Sequence, residues 1–254
     1  MVQKKTTQPS TSYRVSLEEL LEAGCHFGHQ SRRWHPKMAP YIWGERNGVH
    51  IIDLSKTQES LVAACRKASE LVREGKLILF VGTKRQASAI IEEEAQKAQM
   101  PYVSKRWLGG TLTNWKQLKK SIERMVDLES KRAAHELEKY TKREQGQFDK
   151  EIARLNTFVG GLRLLKDLPA ALFIIDIKRE DAVVREAKKM GIPVFAIVDT
   201  NCDPTGIDYV VPANDDAIWS IRLIVSKIAE AIREGRTEKP ANQITDSPIS
   251  SLTH

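Results

Sequence analysis

The sequence predicts a doubly wound α/β fold, and three observations carry that expectation. Continuous apolar runs bounded by charge or glycine alternate with amphipathic stretches along most of the chain. Runs such as KLILFVG (76–82) and IPVFAIVD (192–199) lack the in-and-out alternation of a half-wet strand, so they read as strands buried on both faces. The order strand, helix, strand implies right-handed crossovers and a parallel sheet of about five strands between helical layers.

Residues 1–14 are polar and poor in bulky apolar side chains, which predicts a flexible arm. SLEELLEAG offers Ser16 as N-cap, Glu19 at the capping-box position and Gly24 as a stop, hence a short helix. GVHIIDL (48–54) is β-branched and reads as a strand. Residues 55–75 repeat apolar positions at helical spacing up to Gly75. The strand at 76–82 is followed by the helical TKRQASAIIEEEAQKAQ and a short strand, PYVS (101–104). Downstream come a strand at 171–176, a helix at 179–191, the strand at 192–199, a short strand at 208–212 and a long amphipathic helix at 215–235. Residues 236–254 read as a disordered tail.

One segment breaks the rhythm. Leu112, Trp115, Leu118, Ile122, Met125 and Leu128 form one apolar stripe, and Ile152, Leu155, Val159, Leu162 and Leu165 form another after a charged link. Narrow stripes near coiled-coil spacing predict an antiparallel helical hairpin projecting from the sheet. The expected organisation is an α/β domain from 15–104 and 167–235, with residues 105–166 inserted as the hairpin.

Length and composition narrow the class. A chain of 254 residues buries a substantial core without disulfides. Its three cysteines, Cys25, Cys65 and Cys202, fit no disulfide framework and no C-x-x-C pair, so a reducing cytoplasm is expected. The opening residues lack a secretion-signal core, and no apolar run of about 18 residues predicts a membrane span. The formal charge of +7 divides unevenly: +3 over residues 1–50, +1 over 51–103, +7 over 104–166 and −4 over 167–254. A basic start and middle with an acidic final third suggests a body whose basic faces meet nucleic acid or an anionic surface.

Two segments concentrate groups suited to RNA. In CHFGHQSRRWHPKMAPYIWG, Arg32, Arg33, Lys37 and the following Arg46 offer cations, while Trp34, His35, Tyr41 and Trp43 offer faces for an unstacked base. In SKRWLGGTLTNWKQLKK, Lys105, Arg106 and Trp107 precede Gly109 and Gly110, which permit close backbone approach; Thr113 and Asn114 follow, then Lys116, Lys119 and Lys120. Packing of the tryptophans into the core is the competing explanation for the aromatic residues.

Other chemistries find weaker footing. GTKRQAS occupies a strand-to-helix turn where α/β folds hold phosphates, but it matches neither G-x-x-x-x-G-K-[ST] nor G-x-G-x-x-G; Lys84 and Arg85 there suit an RNA phosphate equally well. Cys25, His26, His29 and His35 are zinc-type donors whose spacing matches no strong zinc pattern. Asp199, Asp203, Asp215 and Asp216 could gather at strand ends and hold Mg²⁺, although turn and cap chemistry also accounts for them. No nucleophile elbow is present. The alternatives left open are a soluble nucleotide-binding α/β enzyme, with phosphate at Gly82 to Arg85, and a general RNA chaperone.

The segments AGCHFGHQSRRWHPKMAPYIWGERNGVHIIDLSKT, LFVGTKRQA, RWLGGTLTNWK, ALFIIDI, GIPVFAIVDTNCDP and VPANDDAIWSIRL resemble, in order, the bacterial and organellar small-subunit ribosomal protein S two family. The likeness spans roughly residues 15–236. It implies a Rossmann-like or flavodoxin-like sheet with an inserted coiled-coil hairpin, no catalytic residues, no required cofactor and no homo-oligomer. It also implies a place near the head–body junction of the small subunit, with small-subunit ribosomal RNA and protein S one as partners. The family pattern falls on His26 to Gln30, Arg32, Trp34, Pro36 to Met38, Arg106 to Gly110 and Leu112 to Asn114. Cys25 stands where the family commonly has an aliphatic residue, which argues for a small buried hydrophobe.

Overall fold

A computed structural model describes residues 14–237. The expected arm falls within its description only at Arg14 and the expected tail only at 236–237; the rest of both lies outside the described residues.

Strands β4 (Ile78–Val81), β5 (Tyr102–Val103), β6 (Ala171–Ile175), β7 (Val194–Val198) and β8 (Tyr209–Pro212) form the parallel sheet, in the order β5-β4-β6-β7-β8. Nearly every residue of the three central strands is a bulky apolar one. The pleat sends alternate side chains to opposite faces, so each strand feeds two cores. Ile78, Phe80, Phe173, Phe195 and Ile197 face helices α1 (Leu17–Glu22), α2 (Leu54–Arg73), α3 (Arg85–Lys97) and α7 (Ile218–Thr237). Leu79, Val81, Leu172, Ile174, Ala196 and Val198 face the other way. Full burial of each such phenylalanine contributes about 2 kcal/mol, and Phe80 and Phe173 also meet at a centroid distance of 5.3 Å.

The capping box expected at Ser16 and Glu19 is present: the Glu19 amide donates to Ser16 Oγ at 3.1 Å, and the Ser16 amide donates to Glu19 Oε2 at 2.8 Å.

The strand expected at 48–54 forms as β3 (Val49–Ile52), but outside the parallel sheet. It pairs antiparallel with β1 (Phe27–Gln30) and β2 (Ile42–Arg46) in a separate three-stranded sheet, order β1-β3-β2. Asn47 (φ 53°) and Gly48 (φ 75°) form the two-residue turn between β2 and β3. Two successive left-handed residues suit a hairpin whose strands twist, and Asn-Gly is the dipeptide that best tolerates them.

The second core explains the hairpin's foot. Helices α4 (Trp115–Ala133) and α5 (Lys142–Val159) pair through Arg132–Asp149 (3.3 Å) and Arg124–Glu151 (3.4 Å). Leu118, Ile122, Met125 and Val159 belong to the same buried cluster as Leu79 and Leu172, together with Val183 and Ala187 of α6 (Asp181–Met190). The stripes are therefore sheet core where α4 begins and where α5 ends. Only towards the tip do Leu128, Leu137 and Ile152 lie buried outside both sheet clusters. Among the described residues, no helix is long and apolar enough to cross a membrane.

Candidate nucleic-acid interface

The carboxyl ends of the parallel strands, where α/β folds commonly place ligands, are closed by the protein's own charges. Lys84, just after β4, is buried; its Nζ lies 2.7 Å from Asp215 Oδ1, 2.7 Å from Asp216 Oδ1 and 3.5 Å from Asp176 Oδ2. Next to this group His29 sets Nδ1 3.1 Å from Asp199 Oδ2 and Nε2 3.4 Å from Asp216 Oδ2. Burial, then the charges of Asp199 and Asp176, push the Asp215 carboxyl up to about 7 against the pull of Lys84. Burial favours a neutral Lys84, but the surrounding carboxylates outweigh it and hold the ammonium above its ordinary value. The hydrogen bond to Asp199 likewise raises His29 against the effect of its partial burial.

The small antiparallel sheet seals this end. The His29 amide donates to Thr200 Oγ1 at 2.8 Å and the His35 amide to the Thr200 carbonyl at 2.8 Å. Gly28 makes the approach possible: a Cβ there would sit 2.6 Å from Thr200 Cγ2 and 3.0 Å from the His50 carbonyl. At the start of α3, the Thr83 amide donates to the buried Glu180 Oε1 at 3.0 Å. In the Gly82 to Arg85 turn, the Thr83 amide and the Lys84 ammonium are thus both engaged by carboxylates of the chain itself.

Several expected residues move to new roles. Lys84 is withdrawn from any RNA surface by its carboxylate partners. Trp107 is also withdrawn: it is buried, and its indole Nε1 donates to Glu186 Oε1 at 3.0 Å. Lys37 stays exposed but binds Asp203 (3.1 Å) and Thr205 Oγ1 (2.7 Å). Asp203 does not join Asp199, Asp215 and Asp216 in a cation-binding group, and hydrogen bonds from Thr205, with help from Lys37, hold its carboxyl well below the usual range.

The zinc set does not assemble. Cys25 joins the first core, where burial pushes its thiol up; His26 has a buried Nδ1 without a hydrogen-bond partner; His35 lies 3.9 Å from Asp203. Among the described residues, the groupings able to hold a cation are His29 with Asp199 and Asp216, and Asp176 with Cys202 and Asp215, each with its donor atoms within 4.8 Å of one another. Lys84 already supplies positive charge between them.

The remaining candidates stay on the surface. Arg32, Arg33, Arg46, Arg85, Lys105, Arg106, Lys116 and Lys120 are exposed and Lys119 is half-buried. Among the described residues none of the nine has a carboxylate partner within ion-pair distance, although Arg32 Nε donates to Gln30 Oε1 at 3.0 Å. Trp43 is 76% exposed, and Trp34 is 39% exposed beside the His50 ring at 5.2 Å. Gly109 has open space around it, Gly110 takes φ +91°, and Asn114 precedes the first turn of α4.

Sequence reasoning missed Glu186. Both its oxygens receive donors from residues 107–113, and those partners lie more than 70 positions away in the chain. Partial burial acts to raise its carboxyl, but the bonds from Trp107 and the Gly110, Leu112 and Thr113 amides win and hold it below the ordinary range. No local pattern in the sequence marks such a residue.

Strand ends filled by internal ion pairs, together with surface cations that have no carboxylate partner among the described residues, define an α/β protein with basic outer surfaces. The chain belongs to the family described as "Ribosomal protein S2", which residues 20–235 match. It is 53% identical over 240 residues to "Small ribosomal subunit protein uS2" of Roseiflexus castenholzii, covering 94% of this chain and 91% of that protein. The protein of the same description from Coprothermobacter proteolyticus is 52% identical over 222 residues, covering 87% and 83%, and that from Geotalea uraniireducens is 50% identical over 233 residues, covering 92% and 91%. The chain is accordingly a ribosomal protein of the small subunit, a structural component and not an enzyme.

Proposed function

We propose that this chain fastens to small-subunit ribosomal RNA near the head–body junction through two basic surfaces. One comprises Arg32, Arg33 and Arg46 with Trp34 and Trp43 on the small sheet and its loop. The other comprises Lys105, Arg106, Gly109, Gly110 and Asn114, with Lys116, Lys119 and Lys120 on α4. The observation that carries the reading is that, among the described residues, these cations have no carboxylate partner within ion-pair distance while Lys84, Arg124, Arg132 and Arg163 are all paired. Unpaired lysines and arginines displace counterions from RNA, which drives association and makes it salt-dependent. Half-exposed aromatic rings suit unstacked bases. The resemblance that fits these residues supports a cytoplasmic ribosome as the setting and recruitment of protein S one as a further role.

Sedimentation of a cell extract with a tagged chain tests the placement. The expected result is co-migration with the small subunit in stoichiometric amount, retained at moderate salt. Recovery in the light fractions would favour the free nucleotide-binding reading, and transient, substoichiometric association would favour an RNA chaperone.

A further inference from the structure

Glu186 stands on α6, outside both basic surfaces, yet its carboxylate gathers the loop between β5 and α4. Oε1 accepts from the Trp107 indole at 3.0 Å and the Gly110 amide at 2.8 Å; Oε2 accepts from the Leu112 amide at 2.9 Å, the Thr113 amide at 3.2 Å and Thr113 Oγ1 at 3.4 Å. Hydrogen bonds to an ionised acceptor are roughly twice as strong as neutral ones. Gly110 lets the chain turn through a left-handed conformation, and Glu186 supplies the acceptor for the amides that the turn directs inward. Trp107 and Leu112 are buried on either side of the turn. Just beyond these anchors come the exposed cations: Lys105 and Arg106 before the loop, Lys116 and Lys120 after it.

A carboxylate near RNA repels phosphates unless its charge is consumed. Here five donors face it, so the acidic group acts on the loop and not on solvent. We infer that Glu186 is a positioning residue for RNA docking, holding residues 107–113 in one shape so that Lys105, Arg106, Lys116 and Lys120 meet the phosphates as a single preorganised set. The inference rests on the RNA-docking reading above. Preorganisation matters because ordering a loop at the moment of binding subtracts from affinity.

The test uses the full chain and small subunits stripped of this protein, with binding measured against potassium chloride concentration at a temperature where circular dichroism shows every variant folded. Glu186→Gln keeps the side-chain shape but turns an amide NH₂ towards two of the donors; Glu186→Asp keeps the charge but is one methylene short. Glu186→Gln is expected to bind about tenfold more weakly, equivalent to about 1.4 kcal/mol, and to show a shallower salt dependence. Hydrogen exchange at Gly110, Leu112 and Thr113 is expected to accelerate, with Glu186→Asp intermediate. Combined with Lys105→Gln and Lys120→Gln, the loss is expected to be less than additive, because lysines already misplaced have less to lose; a merely structural role would leave the effects additive. Wild-type affinity and salt dependence in Glu186→Gln, beside weak binding by the lysine variant, would overturn the positioning role and leave RNA docking intact. Wild-type binding by the lysine variant would bring down the docking reading and this inference with it. If Glu186→Gln does not fold, Glu186→Asp carries the same comparison.

Discussion

Lys84 Nζ and Asp215 Oδ1 meet at 2.7 Å although 131 positions separate them, joining the end of β4 to the segment after β8. A buried ammonium among carboxylates is tolerated because each compensates the other's lost hydration. Removing one partner leaves unmatched charge in a poorly solvated site, which costs about 3 kcal/mol. Lys84→Met is therefore expected to lower stability by about that much in urea unfolding at about pH 8. The loss should shrink at about pH 5, where Asp215 takes up a proton. An equal loss at both pH values would show that Asp215 is not the group left stranded.

Stability should fall as pH rises from about 6 to about 8. His29 has its folded pKa raised, so its contribution is fully present below the ordinary value of 6.5 and is lost as pH climbs through the folded value. Asp215, raised from 3.8 to about 7, acts with the same sign, since the folded state keeps a proton that the unfolded chain releases. Thermal midpoints across this range should decline for the native chain, and less steeply for His29→Asn and for Asp215→Asn. A midpoint that rises with pH would contradict both assignments.

Gly28→Ala is expected to destabilise by about 2 kcal/mol, because overpacking at a close approach forces the backbone to shift. The added methyl would meet Thr200 and the His50 carbonyl, pushing β1 away from the strand ends. Chemical denaturation of the variant, with and without Thr200→Ser to relieve Cγ2, separates steric pressure from other effects. Unchanged stability in the single variant would count against close packing here.

Changing Arg32, Arg33, Lys119 and Lys120 together to glutamine should flatten the salt dependence of binding to the small subunit. At roughly 0.7 to 0.9 counterions per lost phosphate contact, the slope should fall by about 3. An unaltered slope in a filter-binding series would mean these side chains do not face RNA.

Much of the parallel sheet was legible because its strands are short, apolar and separated by amphipathic helices. Ser16 with Glu19 was equally plain, since a capping box is a local contact. The antiparallel sheet escaped because FGHQ carries no apolar alternation, although Asn47–Gly48 was a usable turn signal. Trp107 and Lys84 looked like RNA ligands since sequence records charge and aromaticity but not which way a side chain turns. Their partners, Glu186 and Asp215, come from distant segments, and only the fold brings them near. The hairpin's apolar stripes were visible, but a stripe alone does not say whether it meets a helix or a sheet.

Residues 78–81 and 171–175 run side by side in the sheet although α3, β5 and the entire hairpin lie between them in the chain. Bringing such distant segments together during folding costs chain entropy that grows with the length of the intervening loop. Helices 115–133 and 142–159 touch through contacts much closer in sequence, so they can zip together early and draw the ends of that loop inward. Early pairing of these helices would thus shorten the loop that the sheet must close.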